Sequence, residues 1–318
     1  MDEGGAAPTS SRGWAPGVLA ALLIAAMVVG AAIGPMQLSI GDVLRGALGA
    51  AGLVDADPVL VSVVGSIRLP RVVLGALVGA ALAASGVAMQ ALFRNPLADA
   101  GLLGVSSGGA LGSALVIVAL GGAVDALPPA LASAARPLAA FAGGLAATMI
   151  VLRIGRSEVD GEGSERGDVA IMLLAGIALN ALVGSILGLL SHVAGDAELR
   201  DVTFWTLGNL GVRTDHLVRV LVLTTALSVG ASVAAAGLLG FVGLVVPHLV
   251  RLLLGPSHRG LATCAPLAGA LLLVLADTAA RVVVRPSELP VGVLTAALGA
   301  PFFLALVLRE LRGARRLP

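Results

Sequence analysis

Apolar runs of 18 or more residues, nearly free of charge, recur from end to end of the chain with short polar connections between them. A helix of that length covers a hydrocarbon core of about 30 Å. The pattern predicts nine spans, at roughly 17–35, 72–92, 101–122, 137–154, 169–191, 217–236, 238–254, 261–282 and 290–308. A transmembrane β-barrel would instead show short segments of alternating polarity. The expected fold is therefore all-α, a polytopic transmembrane helical bundle with residues 1–318 forming one membrane domain. Residues 36–70 have mixed polarity and suit a short helix at the membrane surface, and RSEVDGEGSERGD (156–168) reads as a solvated hydrophilic loop. The first run carries no convincing small-residue cleavage site, so it reads as a retained span and not as a signal peptide.

Composition sharpens this picture. Hydrophobic residues make up 58% of the chain and charged residues 12%, about half the charged share of a soluble domain. All 20 basic residues are Arg, and a P-loop needs its Lys, so the chain does not bind ATP through one. Cys264 stands alone in an apolar run and the four His are scattered, which gives no disulfide framework, no clustered metal site and no call for a cofactor. A net charge of +1 without a basic face gives nucleic-acid binding no support.

A second periodicity lies beneath the spans. Shifting the sequence by 151 residues places Arg68 on Arg219, Gly79 on Gly230, Gly86 on Gly237, Pro96 on Pro247, Gly104 on Gly255 and Gly109 on Gly260. Repeat one then runs from about 68 to 191 and repeat two from about 219 to 310. Internal repeats mark many transporter folds. Each repeat contains a polar break between apolar runs: ALFRNPLADAGLLG (91–104) with Arg94, Asn95 and Pro96, and VVPHLVRLLLGPSHRG (245–260) with Pro247, His248, Arg251, His258 and Arg259. Proline removes a backbone donor and ends a helix, and nearby polar groups satisfy what it frees. Gly75 with Gly79, and Gly108 with Gly112, place small stripes on helix faces and favour close packing.

The stretch RLPRVVLGALVGAALAASGVAMQALFRNPLADAGLLGVSSGGALG (68–112) resembles the signature of FecCD-type permeases, the membrane subunits of ABC importers for iron–siderophore complexes, haem and cobalamin. GFVGLVVPHLVRLLLGPSHRG (240–260), LADTAAR (275–281), ELPVGVLTAALGAPFFLALVLR (288–309) and the Phe204, Trp205, Gly208 motif agree with it, so the similarity covers most of residues 60–310. The resemblance implies a bundle of the type II ABC importer permease kind, placed in the cytoplasmic membrane of a bacterium. It implies three partners: a separate ATPase subunit, an extracytoplasmic substrate-binding protein, and a second permease subunit forming a homodimer or heterodimer. Arg68 and Arg71, with Arg281, match arginines that in the cobalamin importer meet glutamates of the binding protein; interfacial anchoring is the other reading of the first two. Arg281 also stands four residues after Asp277, so the two could neutralise each other inside the bundle. His248, Arg251, His258 and Arg259 match an inward-facing turn, where contact with the ATPase or with lipid headgroups stays open. The tail RELRGARR (309–316) places the C-terminus in the cytoplasm.

One region departs from the family. Members have ten spans, with a crossing and an ATPase-docking segment between the Trp motif and the GFVGL motif. Here WTLGNLGVRTDHLVRVLVLTTALSVGASVAAAG runs directly from Trp205 to Gly237, with roughly forty residues absent. Counting spans from the two termini then puts residues 192–217 on opposite sides, a parity conflict. The leading expectation is a permease subunit, without chemistry of its own on the cargo, that imports an iron–siderophore or a haem- or cobalamin-like chelate. The alternatives are an internally deleted, coupling-defective relative, an ion-coupled secondary transporter for which only Asp277 offers a carboxylate, and a membrane-embedded enzyme lacking any visible His, Cys or acidic cluster.

Overall fold

The computed structural model describes residues 13–96, 98–156, 165–208, 210, 232–233, 235–255, 257–284 and 287–314. Every regular element among them is helical. In chain order these are α1 (Ala15–Ala32), α2 (Ile40–Ala50), α3 (Pro58–Ser62), α4 (Leu69–Leu92), α5 (Val105–Val118), α6 (Gly121–Asp125), α7 (Pro129–Arg156), α8 (Glu165–Val193), α9 (Asp196–Thr206), α10 (Val242–Leu254), α11 (His258–Val283) and α12 (Val291–Ala314). A π turn, Val63–Arg68, joins α3 to α4, and a 3-10 turn, Ala100–Leu103, precedes α5.

Among the described residues five stretches are long and apolar enough to cross a membrane: Ala15–Ala32, Pro58–Leu92, Pro129–Gly155, Ile171–Val193 and Gly260–Val283. Val105–Val118, Val242–Leu254 and Val291–Leu306 are shorter apolar helices. Together they occupy eight of the nine expected spans; the ninth, 217–236, lies almost wholly outside the described residues.

Local chemistry explains where extents differ from expectation. Residues 58–68 belong to the α4 rod and not to a surface segment, because Asp57 Oδ1 accepts the Val59 N–H at 2.8 Å and Pro58 opens a helix that continues through the π turn. The surface helix is confined to α2, which starts at a capping box: Asp42 N–H donates to Ser39 Oγ and Ser39 N–H to Asp42 Oδ2. The span expected from residue 101 begins only at Val105, since Gly104 takes a left-handed φ of +80° after the 3-10 turn. Helix α8 starts at Glu165, so the expected hydrophilic loop is shorter, and its residues 157–164 lie outside the description.

Helices α4 and α11 run antiparallel, with Gly79 against Gly269 and Arg71 bonded to Asp277. Helices α5 and α7 do the same through Gly108 on Gly143 and Gly112 on Ala139. Taking the arginines of 309–316, two of them at the end of α12, as facing the cytoplasm makes that end of the bundle the inner one. The end of α1, α2, the start of α4, α9 and the end of α11 are then outside. The described helices share one sidedness, with α1 starting and α12 ending inside, so the parity conflict does not arise among them. Gly208 and Gly237, on either side of 211–231, are direct neighbours.

Among the described residues the apolar side chains gather in four clusters, two of which lie along α4 and α7. One gathers Leu74, Val78 and Leu82 of α4 with Val242 and Val246 of α10 and Leu273 of α11. The other places Val151 of α7 against Leu103, Val105 and Phe93. Leu174, Ile177, Leu182 and Leu189 of α8 stay exposed, as a lipid-facing stripe requires. At the glycine crossings backbone meets backbone: a Cβ on Gly86 would overlap the Gly243 carbonyl, whereas Gly184 faces open space. Gly86→Ala should lower stability by about 1–3 kcal/mol. Gly184→Ala should leave it unchanged. Thermal unfolding of the two variants in detergent checks the contrast.

Candidate functional site

The π turn brings Arg68 onto α4 three residues before Arg71, so both side chains leave the same helix face. That face looks toward the end of α1 and the end of α11. The last four carbonyls of a helix lack intrahelical partners and carry the negative end of its dipole. Arg68 Nη1 donates to Ala31 O and Ala32 O, both at 2.7 Å, and its Nη2 to Met36 O. From α11, Arg281 Nη1 donates to Ile33 O at 2.6 Å and its Nη2 to Gly30 O at 2.9 Å. Two guanidinium groups from different helices thus finish the end of α1.

Arg71, on the same face, bonds carboxylates and not helix-end carbonyls. Its Nε and Nη2 donate to Asp277 Oδ1 at 3.0 and 2.9 Å, and its Nη1 donates to Glu288 Oε2 at 2.7 Å. Asp277 Oδ2 lies 3.2 Å from Arg281 Nε, so one carboxylate serves two arginines. Arg68, Arg71, Arg281 and Asp277 are 5%, 9%, 6% and 2% exposed, while the Glu288 side chain is 41% exposed. The three arginines singled out in the sequence form one cluster, but it is an interior one. Arg68 and Arg281 direct their donors mainly to the backbone of α1. Among the described residues, Arg71 is the one of the three bonded to an exposed carboxylate.

At the inner end Arg94 adopts a left-handed φ of +46°, and Asn95 N–H donates to Gln90 O at 3.2 Å, so the chain reverses just before Pro96. Pro247 is fully buried inside α10. His248 meets Phe302 of α12 edge to face at 5.8 Å, and Arg251 Nη2 donates to Gln90 Oε1 at 2.6 Å. His258 opens α11, but the side chains of His258 and Arg259 lie outside the description. Among the described residues no group of three His, Cys, Asp or Glu could hold a metal ion.

The sequence reading missed Glu288, Gln90 and Asn180. Asn180 Nδ2 donates to Gly101 O at 3.3 Å and its Oδ1 accepts from Ser107 Oγ at 2.5 Å, which supplies partners to irregular backbone inside the bundle. Each acts across 73 to 217 positions of sequence, beyond what helical spacing registers.

Removing the shared anion strands two buried cations. Asp277→Asn should destabilise the protein by about 3–5 kcal/mol. Arg136→Gln breaks an exposed 3.2 Å pair with Asp201 and should cost under about 1 kcal/mol. Melting curves of both variants, measured side by side, test the ranking.

The described geometry has counterparts among known proteins. The hemin transport system permease HmuU of Yersinia pestis is 42% identical over 287 aligned positions, covering 77% of this chain and 83% of that one. The cobalamin import system permease BtuC of Halobacterium salinarum is 37% identical over 293 positions, covering 79% of this chain and 74% of that one. A solved structure, a metal-chelate type ABC transporter in an inward-facing conformation, superposes with a TM-score of 0.73 at 26% identity, covering 92% of this chain and 98% of that one. The model of the FecCD transport family matches residues 22–222 and again 208–309. With the apolar helices of the bundle, these matches establish a multi-pass protein of the cytoplasmic membrane that belongs to the FecCD transport family.

Proposed function

We propose that the chain is the membrane-spanning subunit of an ATP-driven importer and carries a haem- or cobalamin-like metal chelate inward as one half of a dimer. The observation that carries this reading is the 42% identity to a hemin permease over 77% of the chain. An iron–siderophore complex belongs to the same chelate class. Nucleotide chemistry falls to a separate ATPase subunit, in keeping with a sequence that has no Lys for a P-loop. An extracytoplasmic binding protein would deliver cargo at the end where Arg71 and Glu288 lie. Asp277, the carboxylate an ion-coupled transporter would need free, is instead bonded to Arg71 and close to Arg281.

A second reading, a coupling-defective relative, draws on the same alignments. The 287 positions aligned with the hemin permease use 77% of 318 residues, about 245, so about 42 positions of that relative face no residue here. The cobalamin permease gives about 42 by the same reckoning, from 293 positions and 79%. The two family matches overlap over 208–222, which supports a break near that point. Gly208 and Gly237 are neighbours, and only 28 residues separate them, against the roughly forty that crossing the membrane twice takes.

One experiment separates the readings. Proteoliposomes holding the permease, its ATPase and a loaded binding protein should take up haem or cobalamin only when ATP is supplied. Failure of the ATPase to co-purify, with no uptake, would favour the coupling-defective relative; uptake by the permease alone under a proton or sodium gradient would contradict both.

A further inference from the structure

We propose that Glu288 is a built-in occupant of a carboxylate site on Arg71, displaced when a carboxylate of the docking binding protein takes its place. The inference rests on the binding-protein reading above and names how that contact is regulated.

Arg71 divides its fork between two depths. Nε and Nη2 are fixed on Asp277, which is 2% exposed, whereas Nη1 faces outward onto Glu288, whose side chain is 41% exposed. Glu288 lies between α11 and α12, in no helix. The adjacent backbone is anchored, because Leu289 N–H donates to Ala280 O at 3.1 Å. The carboxylate can therefore swing away by side-chain rotation while the chain around it stays in place.

Arg68 and Arg281 cannot be released in this way. Their Nη groups bind carbonyls at Gly30, Ala31, Ala32, Ile33 and Met36, and freeing them would strip the end of α1. Arg71 is thus the arginine with a replaceable partner. Exchange keeps the cluster balanced: one carboxylate leaves, another arrives, and Nη1 keeps a charge-assisted bond in both states. Simultaneous occupancy would crowd two anions on one donor, so arrival and departure are coupled. In the free permease the site is closed to stray anions. A partner must bring enough additional contact to compete with the resident side chain.

Glu288→Gln keeps the shape and removes the charge that competes. With the permease in lipid nanodiscs and a haem-loaded extracytoplasmic binding protein as the probe, this variant should capture that protein about threefold to tenfold more tightly. The gain should shrink at high salt. Glu288→Asp, one methylene shorter, should show a smaller gain, and serves if the first variant folds poorly. Unchanged or weaker capture by both variants, with wild-type capture intact, overturns the exchange. Absence of capture by the wild type overturns the binding-protein reading itself.

Discussion

A buried guanidinium must have its charge balanced and its donors bonded, and three of them sit inside the outer end of this bundle. Much of the local architecture follows from meeting that demand. Asp277 bonds Arg71 and lies beside Arg281, while the unfinished carbonyls of α1 take the donors of Arg68 and Arg281. Helix α1 has a nearly uniform apolar surface, with neither an acidic residue in its first turn nor a basic one in its last. Its position is set by what grips its end. The grip needs α4 and α11 already side by side, since each supplies one arginine.

The second constraint is close approach. In lipid no hydrophobic force drives helices together, so contact depends on packing and on polar bonds. Gly79 on Gly269 and Gly86 on Gly243 let α4 lie flush against α11 and α10, which holds Arg71 within reach of Asp277. At the other end Gln90 links α4 to α10 through Arg251. Both ends of the α4 rod are therefore tied by arginine, and its middle is tied by bare backbone.

Much of this could be read from the chain. Hydropathy located the apolar helices because a span must be long and continuous, a demand that leaves a plain trace in composition. Motif resemblance singled out Arg68, Arg71 and Arg281. What it could not convey was the burial of Arg68 and Arg71, since a docking arginine and a helix-capping arginine look the same in sequence; for Arg281 the spacing to Asp277 had offered an interior pair. Glu288 escaped notice because its partner lies 217 positions away, and Asn180 because its partners are a backbone carbonyl of the 3-10 turn and a serine of α5. The early start of the α4 rod was hidden for another reason: the mixed polarity of 36–70 suggested a surface segment, although Asp57 within it is a cap.

The most direct measurement is a double-mutant cycle on Arg71 and Asp277, using Arg71→Gln, Asp277→Asn and the pair, followed by thermal unfolding in detergent. If the outer end depends on this ion pair, the double variant should be less damaged than the sum of the single ones, with a coupling of about 1–3 kcal/mol. Strict additivity would mean that the two residues act independently, and the account of the outer end would be contradicted.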